Sequence, residues 1–130
     1  MNRKTIPLNA ILALAMLAPT FAQVRTVEPT YVMVTAPKDE LNIESVSAVK
    51  SELRSLRTVV IAMKSADFEI QLNALALNGC QGYTAAVLLT DRNTGAGILR
   101  AYTSATVEGL ARQIVKDGRK DFEQRKNTWR

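Results

Sequence analysis

The sequence predicts an α+β fold, a two-layer sandwich in which helices pack on one face of a small mixed sheet. The length of 130 residues suits one domain, and the apolar and charged fractions of 47% and 22% are those of a globular chain. Short β-branched segments alternate with segments whose apolar residues recur at helical spacing. The predicted order of elements is β-α-β-α-β-β-α, without internal repeats or low-complexity segments.

The first 22 residues have the features of a secretory signal peptide. A basic head at 1–4 precedes an unbroken apolar run at 10–18, and residues 19–22 supply a proline and small residues before Gln23. The apolar run is roughly half the ~20 residues that a membrane span requires. We therefore expect cleavage after Ala22 and a periplasmic or secreted protein, with an uncleaved anchor or a buried helix as the alternatives.

The basic residues are concentrated at the C-terminal end of the chain. Loss of Arg3 and Lys4 with the signal segment would leave 15 basic residues against 12 acidic ones, a net charge of +3 instead of +5. Seven of the Lys and Arg residues lie between positions 112 and 130. This stretch is a candidate surface for an anionic partner, and the alternative is an ordinary solvated helix face. The candidate binding residues are Lys116, Arg119, Lys120, Arg125 and Lys126.

The first predicted element after the signal segment is a strand at 30–35, whose β-branched and aromatic residues lie between Pro29 and Pro37. The proline before the strand suits its first position or a sheet edge. The predicted organisation is a signal peptide at 1–22, a linker at 23–29, a single α+β domain at 30–126 and a basic tail at 127–130.

A helix is predicted next, because apolar residues recur at helical spacing at Val46, Val49, Leu53 and Leu56. Asp39 or Asn42 is the candidate N-cap. The β-branched segment 58–63 favours a buried strand. Its apolar spacing also continues that of the helix through Val60 and Met63, so one longer helix is the alternative.

Residues 65–78 are predicted to form a second helix. Ser65 can cap its N-terminus, and the pair Asn78 and Gly79 supplies a left-handed stop. The apolar residues form two adjacent stripes at helical spacing, Phe68, Leu72, Leu75 and Ala76 beside Ile70, Ala74 and Leu77. A helix this widely apolar is expected to be well covered by the rest of the domain.

The segments 83–90 and 97–103 are predicted to pair as a hairpin. Residues 91–95 between them combine short polar side chains with a glycine suited to positive φ. The last helix begins with Ser104 or Thr106 as its cap. Its predicted buried face consists of Val107, Leu110, Ala111, Ile114, Val115, Gly118 and Phe122.

A glycine-based motif lies at the corner between the second predicted helix and the following strand. The motif consists of Leu75, Gly79, Gly82 and Tyr83. Over residues 58–103 the sequence resembles small bacterial domains of unknown function, which carry a strand–helix–strand unit with a similar Leu…Gly-x-x-Gly-aromatic corner. It departs from their pattern at Ala76 and Asn78, where they usually have Asn and Leu. The resemblance implies a fold and no activity.

The composition excludes several chemistries. The chain has no histidine, which excludes Ser-His-Asp and Cys-His catalysis and removes the commonest metal ligand. A single cysteine excludes an internal disulfide and a cysteine-rich zinc site. We expect Cys80 to be a small shielded side chain, because it follows a predicted helix C-terminus whose dipole disfavours the thiolate. A reactive thiol or an intermolecular disulfide is the alternative.

The carboxylates cluster at positions 39/40, 67/69 and 117/121/123, at predicted helix starts or among basic residues. We interpret them as caps and solvated faces, since general acid–base chemistry needs two carboxyl groups converging in a cleft. No catalytic residue, metal or cofactor is therefore predicted.

The sequence predicts an exported, non-catalytic interaction or assembly module of a bacterial envelope. The expected partner is another envelope protein or a second copy of the chain, with an anionic lipid or polymer as a further candidate; nucleic acid is not expected. The alternatives are a small histidine-free hydrolase and an anionic-polymer-binding protein that uses the basic C-terminal helix.

Overall fold

The computed structural model of the protein describes residues 28–79 and 81–128. The predicted signal peptide, its cleavage site, Cys80 and the last two residues lie outside this part of the chain. The described elements are β1 (Thr30–Thr35), α1 (Glu40–Arg54), β2 (Val59–Ile61), β3 (Phe68–Ala76), β4 (Tyr83–Asp91), β5 (Gly97–Ser104) and α2 (Val107–Thr128).

The five strands form one open sheet in the order β2-β1-β3-β4-β5. The first three strands in this order run parallel, whereas β3, β4 and β5 are consecutive antiparallel neighbours. Both helices pack against the same face of the sheet, and the core lies between the two layers. The predicted two-layer α+β fold is thus confirmed.

The strand β1 and the β4–β5 hairpin are confirmed where the sequence predicts them, and each hairpin strand is one residue longer at its C-terminal end. The Asp91 Oδ1 atom accepts hydrogen bonds from the backbone N–H groups of Asn93 and Thr94, at 2.9 and 3.2 Å. Gly95 has a φ of 79°, the left-handed conformation for which glycine is suited. The short polar side chain and the glycine therefore form the β4–β5 turn as predicted.

The segment 58–63 contains the strand β2 and does not continue α1. The helix ends at Arg54, and its last turn tightens as the backbone N–H of Leu56 donates to the carbonyl oxygen of Leu53 at 3.0 Å. The chain then enters β2, which pairs in parallel with β1. Of the two alternatives that the spacing left open, the strand is correct. Its predicted burial is wrong, because β2 is an edge strand that pairs only with β1 and leaves Val60 exposed.

The prediction of a helix at 65–78 is wrong, because this segment contains β3, the central strand of the sheet. Its inward side chains are alternate residues, none more than 3% exposed: Phe68, Ile70, Leu72 and Ala74. The polar residues Glu69, Gln71 and Asn73 separate all four of them. This is the period of two that is typical of a strand, and it coincides with the helical spacing used for the prediction. Ser65 has a φ of 57° and caps no helix. The observed order is therefore β-α-β-β-β-β-α.

The glycine corner consequently joins two strands and not a helix and a strand. Gly79 adopts a φ of 74°, the left-handed conformation predicted for it. The backbone N–H of Leu77 donates to the carbonyl oxygen of Gly82 at 3.0 Å and closes the β3–β4 hairpin. A Cβ atom at Gly82 would lie 3.1 Å from the carbonyl oxygen of Ser104, so this glycine permits the close approach of β5.

Helix α2 docks onto the sheet through the apolar face that the sequence predicts. Every residue of that face is buried. The Thr106 Oγ1 atom accepts a hydrogen bond from the backbone N–H of Gly109 at 3.0 Å, which makes it the cap. The ring of Phe122 lies against that of Phe68 on β3, with centroids 4.7 Å apart.

Helix α1 has a buried face that is partly polar. Asp39 is its N-cap and accepts a hydrogen bond from the backbone N–H of Asn42 at 3.0 Å. The Ser45 Oγ atom donates to the carbonyl oxygen of Leu41 within the same helix at 2.8 Å. The buried residues of the helix are Asn42, Ser45, Val49 and Leu53.

The Asn42 side chain binds the backbone of β3 as a neighbouring strand would. The strand β1 pairs with β3 only as far as Gln71, so the second half of β3 has no strand on that side. Beyond this point the Asn42 Oδ1 atom accepts from the backbone N–H of Ala74 at 2.7 Å, and its Nδ2 atom donates to the Ala74 carbonyl oxygen at 3.3 Å. The same Nδ2 atom donates to the Asp39 carboxylate at 2.8 Å. One amide thus satisfies two buried backbone groups.

We predict that Asn42→Ala lowers the free energy of unfolding by about 2–4 kcal/mol, because each buried polar group left unpaired costs about 1–3 kcal/mol. Ser45→Ala is the matched control on the same buried face, since the hydroxyl it removes bonds only within its own helix. The control should cost at most about 1 kcal/mol. Urea unfolding followed by circular dichroism measures both changes, and equal losses would contradict the assigned role of Asn42.

Candidate binding surfaces

A groove with a basic rim lies between the C-terminal end of α1 and the middle of α2. Its volume is about 480 Å³. Four cationic side chains surround an apolar floor of Leu56 and Val115. We call this the basic groove, and its lining residues are Glu52, Ser55, Leu56, Arg112, Val115, Lys116, Arg119, Lys120 and Glu123. It contains three of the five candidate binding residues.

Two cations of the basic groove are paired with its carboxylates. The Arg112 Nε atom lies 3.5 Å from Glu52 Oε1, and the Arg119 Nε atom lies 3.4 Å from Glu123 Oε1. These guanidinium groups are largely exposed, so solvent weakens both pairs. Lys116 and Lys120 are exposed and have no ion-pair partner in the described part of the chain. The groove therefore carries a positive excess of two side chains.

The remaining candidate residues, Arg125 and Lys126, are half-buried near the end of α2 and outside the lining of the basic groove. The Lys126 Nζ atom donates to the Glu28 carbonyl oxygen at 3.2 Å and to Thr30 Oγ1 at 3.1 Å. These bonds tie the last turns of α2 to the start of β1. The basic stretch is thus divided between an open groove and a structural contact.

The sheet face opposite the helices is uncovered by any described element. Because successive side chains of a strand point to opposite faces, the pairing register assigns this surface to the residues between the buried ones. We call it the open face. Its large apolar side chains are Tyr31, Met33, Val60, Leu75, Leu88 and Leu99, of which Leu99 is 73% exposed.

Charge is nearly absent from the open face. The register places one ionisable strand carboxylate on it, that of Glu69. This carboxylate is bound by Arg92 Nη1 at 3.1 Å, Thr35 Oγ1 at 3.2 Å and Gln71 Nε2 at 3.1 Å. The other polar side chains of this face are uncharged, so partner binding there would desolvate few ions.

A polar network lies between β5 and α2 on the covered side of the sheet. Arg100 binds the buried carboxylate of Asp121 through both of its terminal nitrogens, and this pairing raises the pKa of Arg100. The Tyr102 hydroxyl donates to Asp117 Oδ2 at 2.9 Å. Burial, followed by the hydrogen bond to Asp117, raises the pKa of Tyr102 to about 12. These side-chain pairs join β5 to α2.

The carboxylates in two of the predicted clusters have structural roles. Hydrogen bonds from the backbone and side chain of Asn42 lower the pKa of the Asp39 cap. The Asp67 carboxylate accepts from the backbone N–H of Tyr31 at 3.0 Å. Within residues 28–79 and 81–128, no group of three carboxylate or thiol side chains has a geometry able to hold a metal ion. Over the same residues, neither helix is long and apolar enough to cross a bilayer.

The open face was missed by the sequence analysis, although the sequence contains a pattern that would have indicated it. Leu75 of the glycine motif is 59% exposed there, whereas Tyr83 of the same motif packs against the core. In β5, Leu99 and Ala101 alternate with the inward residues Arg100 and Tyr102. When an edge strand carries apolar residues on the uncovered face of its sheet as well as on the covered one, the uncovered face is a candidate interaction surface.

Comparison with protein-family models and with curated proteins finds no match to this chain. Its function is therefore argued from its own surfaces.

We predict that Tyr102→Phe flattens the dependence of stability on pH above about 10. The unfolded Tyr102 loses its proton near pH 10, whereas the folded protein keeps it until about 12. The unfolding free energy must therefore fall as the pH rises through this window, with a slope of at most about 1.4 kcal/mol per pH unit. Urea unfolding at several alkaline pH values measures the slope. A slope unchanged in Tyr102→Phe would contradict the assignment.

Proposed function

We propose that this chain is a small exported, non-catalytic interaction or assembly module of a bacterial envelope, which binds a protein partner through its open face. One observation carries the proposal. Four of the six large apolar side chains that stand exposed in the described part of the chain belong to this one face: Tyr31, Val60, Leu75 and Leu99. The polar β3 residues Glu69, Gln71 and Asn73 lie between the apolar residues of β1–β2 and those of β4–β5. Exposed large apolar residues concentrated on one face of a domain mark a surface that binds a partner.

The open face has the dimensions of a protein interface. Its strands are 3 to 9 residues long, and with spacings of about 4.8 Å between strands and 3.3 Å between residues they project an area of roughly 500–600 Å². Protruding side chains raise the accessible area above this projection. A stable complex buries about 800 Å² on each partner. Because the projected area is below this value, the open face fits the smaller interface of a weak or transient complex, and it is too flat to enclose a small molecule.

The chemistry of the open face favours an apolar protein surface as its partner. The single carboxylate on it is neutralised by Arg92, so neither a polyanion nor a polycation has a complementary charge there. The threonine, alanine and leucine side chains of β4 and β5 make this part of the open face flat and uncharged. Envelope location rests on the signal segment at 1–22, and a non-catalytic role is supported by the structural engagement of Tyr102, Asp39 and Asp67.

The proposal is tested by a photo-reactive residue placed at Gln71 or Leu75 on the open face, in cells that export the protein. Glu44 and Gln124, exposed on the helical side, are the matched control positions. We expect a discrete adduct, identified by mass, from the open-face positions and none from the controls. Adducts from the helical side alone, or from neither side, would contradict the proposal.

A second candidate function is binding of an anionic lipid or polymer in the basic groove. The observation in its favour is that Lys116 and Lys120 are exposed beside the groove without a partner in the described chain. Phosphate groups there would gain two ion pairs without breaking any within the protein. The two functions use opposite sides of the molecule and do not exclude each other.

We predict that changing Lys116, Arg119 and Lys120 together to Gln weakens retention on phosphatidylglycerol vesicles at least about tenfold, and that added salt has the same effect through screening. Unfolding stability should change by less than about 0.5 kcal/mol, because exposed charges contribute little. The matched control changes Lys38, Lys50 and Lys64 to Gln, an equal loss of charge outside the groove. Equal weakening in both variants would show that net charge, and not the groove, binds the vesicles.

A further inference from the structure

The edge strand β5 presents backbone groups that face away from the sheet. The carbonyl oxygens of Ala96, Tyr102 and Ser104 all point towards β4, as shown by their contacts with Asp91 N, Thr84 Oγ1 and Gly82. Because the backbone groups of successive strand residues point in opposite directions, the odd-numbered residues between them face outwards. These residues are Gly97, Leu99, Ala101 and Thr103.

The outward groups of β5 are covered at one end only. The Thr103 carbonyl oxygen accepts a hydrogen bond from Gln113 Nε2 of α2 at 3.1 Å. No contact from the described chain reaches the outward N–H and C=O groups of Leu99 and Ala101. Three consecutive outward residues, Gly97, Leu99 and Ala101, therefore remain open for pairing with another strand.

β5 lacks most of the features that usually protect an edge strand. It is 8 residues long and contains neither proline nor lysine, whereas the opposite edge strand, β2, has only 3 residues. Its one charged residue, Arg100, points towards α2 and is paired with Asp121. The four residues whose backbone groups face outwards, Gly97, Leu99, Ala101 and Thr103, carry no charged side chain. An edge of this length and composition is a site for strand addition.

We propose that β5 pairs antiparallel with β5 of a second copy of this chain, with the two-fold axis at Leu99. In this register Leu99 faces Leu99 of the other copy, and Gly97 faces Ala101. These residue pairs use the open N–H and C=O groups of both strands and leave the Thr103 carbonyl oxygen with Gln113. The interface is isologous, because the same segment serves both copies.

The charges of β5 select this register over its neighbour. An axis shifted by one residue, to Arg100, would bring two guanidinium groups directly opposite each other, which is destabilising. In that register Leu99 would face Ala101, and Gly97 would face Thr103, whose carbonyl oxygen is already bound by Gln113. With the axis at Leu99, each Arg100 instead faces the uncharged Ile98 of the other copy and keeps its pairing with Asp121.

This dimer goes beyond the proposed function and does not depend on what binds the open face. It would join two five-stranded sheets into one continuous sheet and so double the open face offered to a partner. Loss of the dimer would leave each single face intact, and loss of binding at the open face would leave the dimer intact. The two proposals can therefore fail separately.

The test is the molar mass of the purified protein by size-exclusion chromatography with light scattering, over a range of concentrations. We expect wild type to form a dimer, and both Leu99→Lys and Leu99→Asp to raise its dissociation constant at least about tenfold, since like charges would meet at the axis. An equimolar mixture of the two variants should regain the dimer, because residue 99 faces itself only in this register.

Two further variants separate the proposal from misfolding and from other modes of association. Leu75→Lys alters the open face away from β5 and should remain dimeric. Ala101→Pro removes an outward N–H without breaking a bond to β4, so it should fold, as circular dichroism would show, and be monomeric. A monomeric wild type at every concentration, a dimer that survives Leu99→Lys, or one that Leu75→Lys also abolishes would overturn the proposal.

Discussion

The bond between the Asn42 amide and the backbone of Ala74 is the constraint on which the arrangement of layers depends. The central strand β3 is longer than its neighbour β1, and its second half would present unpaired backbone groups to the core. A carboxamide is the side chain that can donate and accept as a peptide does. By supplying it, α1 satisfies the strand and is held in one position over the sheet, and α2 then packs beside it.

The two sides of the protein differ in character because the helices cover only one of them. On the covered side, apolar side chains and the pairs Arg100–Asp121 and Tyr102–Asp117 join β5 to α2. On the other side, the strand residues other than Glu69 are uncharged, and most of them are exposed. The four cationic side chains of the basic groove stand on α2, so this charge is separated from the apolar residues of the sheet. The two proposed binding modes use this separation, an apolar one on the sheet and an electrostatic one between the helices.

The sequence by itself determined the elements whose structure is decided locally. The strand at 30–35 is bounded by prolines, the β4–β5 turn contains Asp91 and Gly95 at the positions that need them, and α2 has one clean apolar face with Thr106 as its cap. Each of these depends on neighbours within a few residues. The candidate residues Lys116, Arg119 and Lys120 fall together for the same reason, because they share one helix.

Only the tertiary structure decided the conformation of 65–78 and the surfaces that follow from it. Phe68 and Leu72 satisfy helical spacing and strand alternation equally, so local pattern leaves the choice open, and pairing with β1 and β4 settles it. Burial of Asn42 likewise depends on a backbone group of Ala74, distant in sequence. The open face and the free edge of β5 exist because two helices cover one side of five strands. No window of the sequence contains that information, because exposure is a property of the assembled layers.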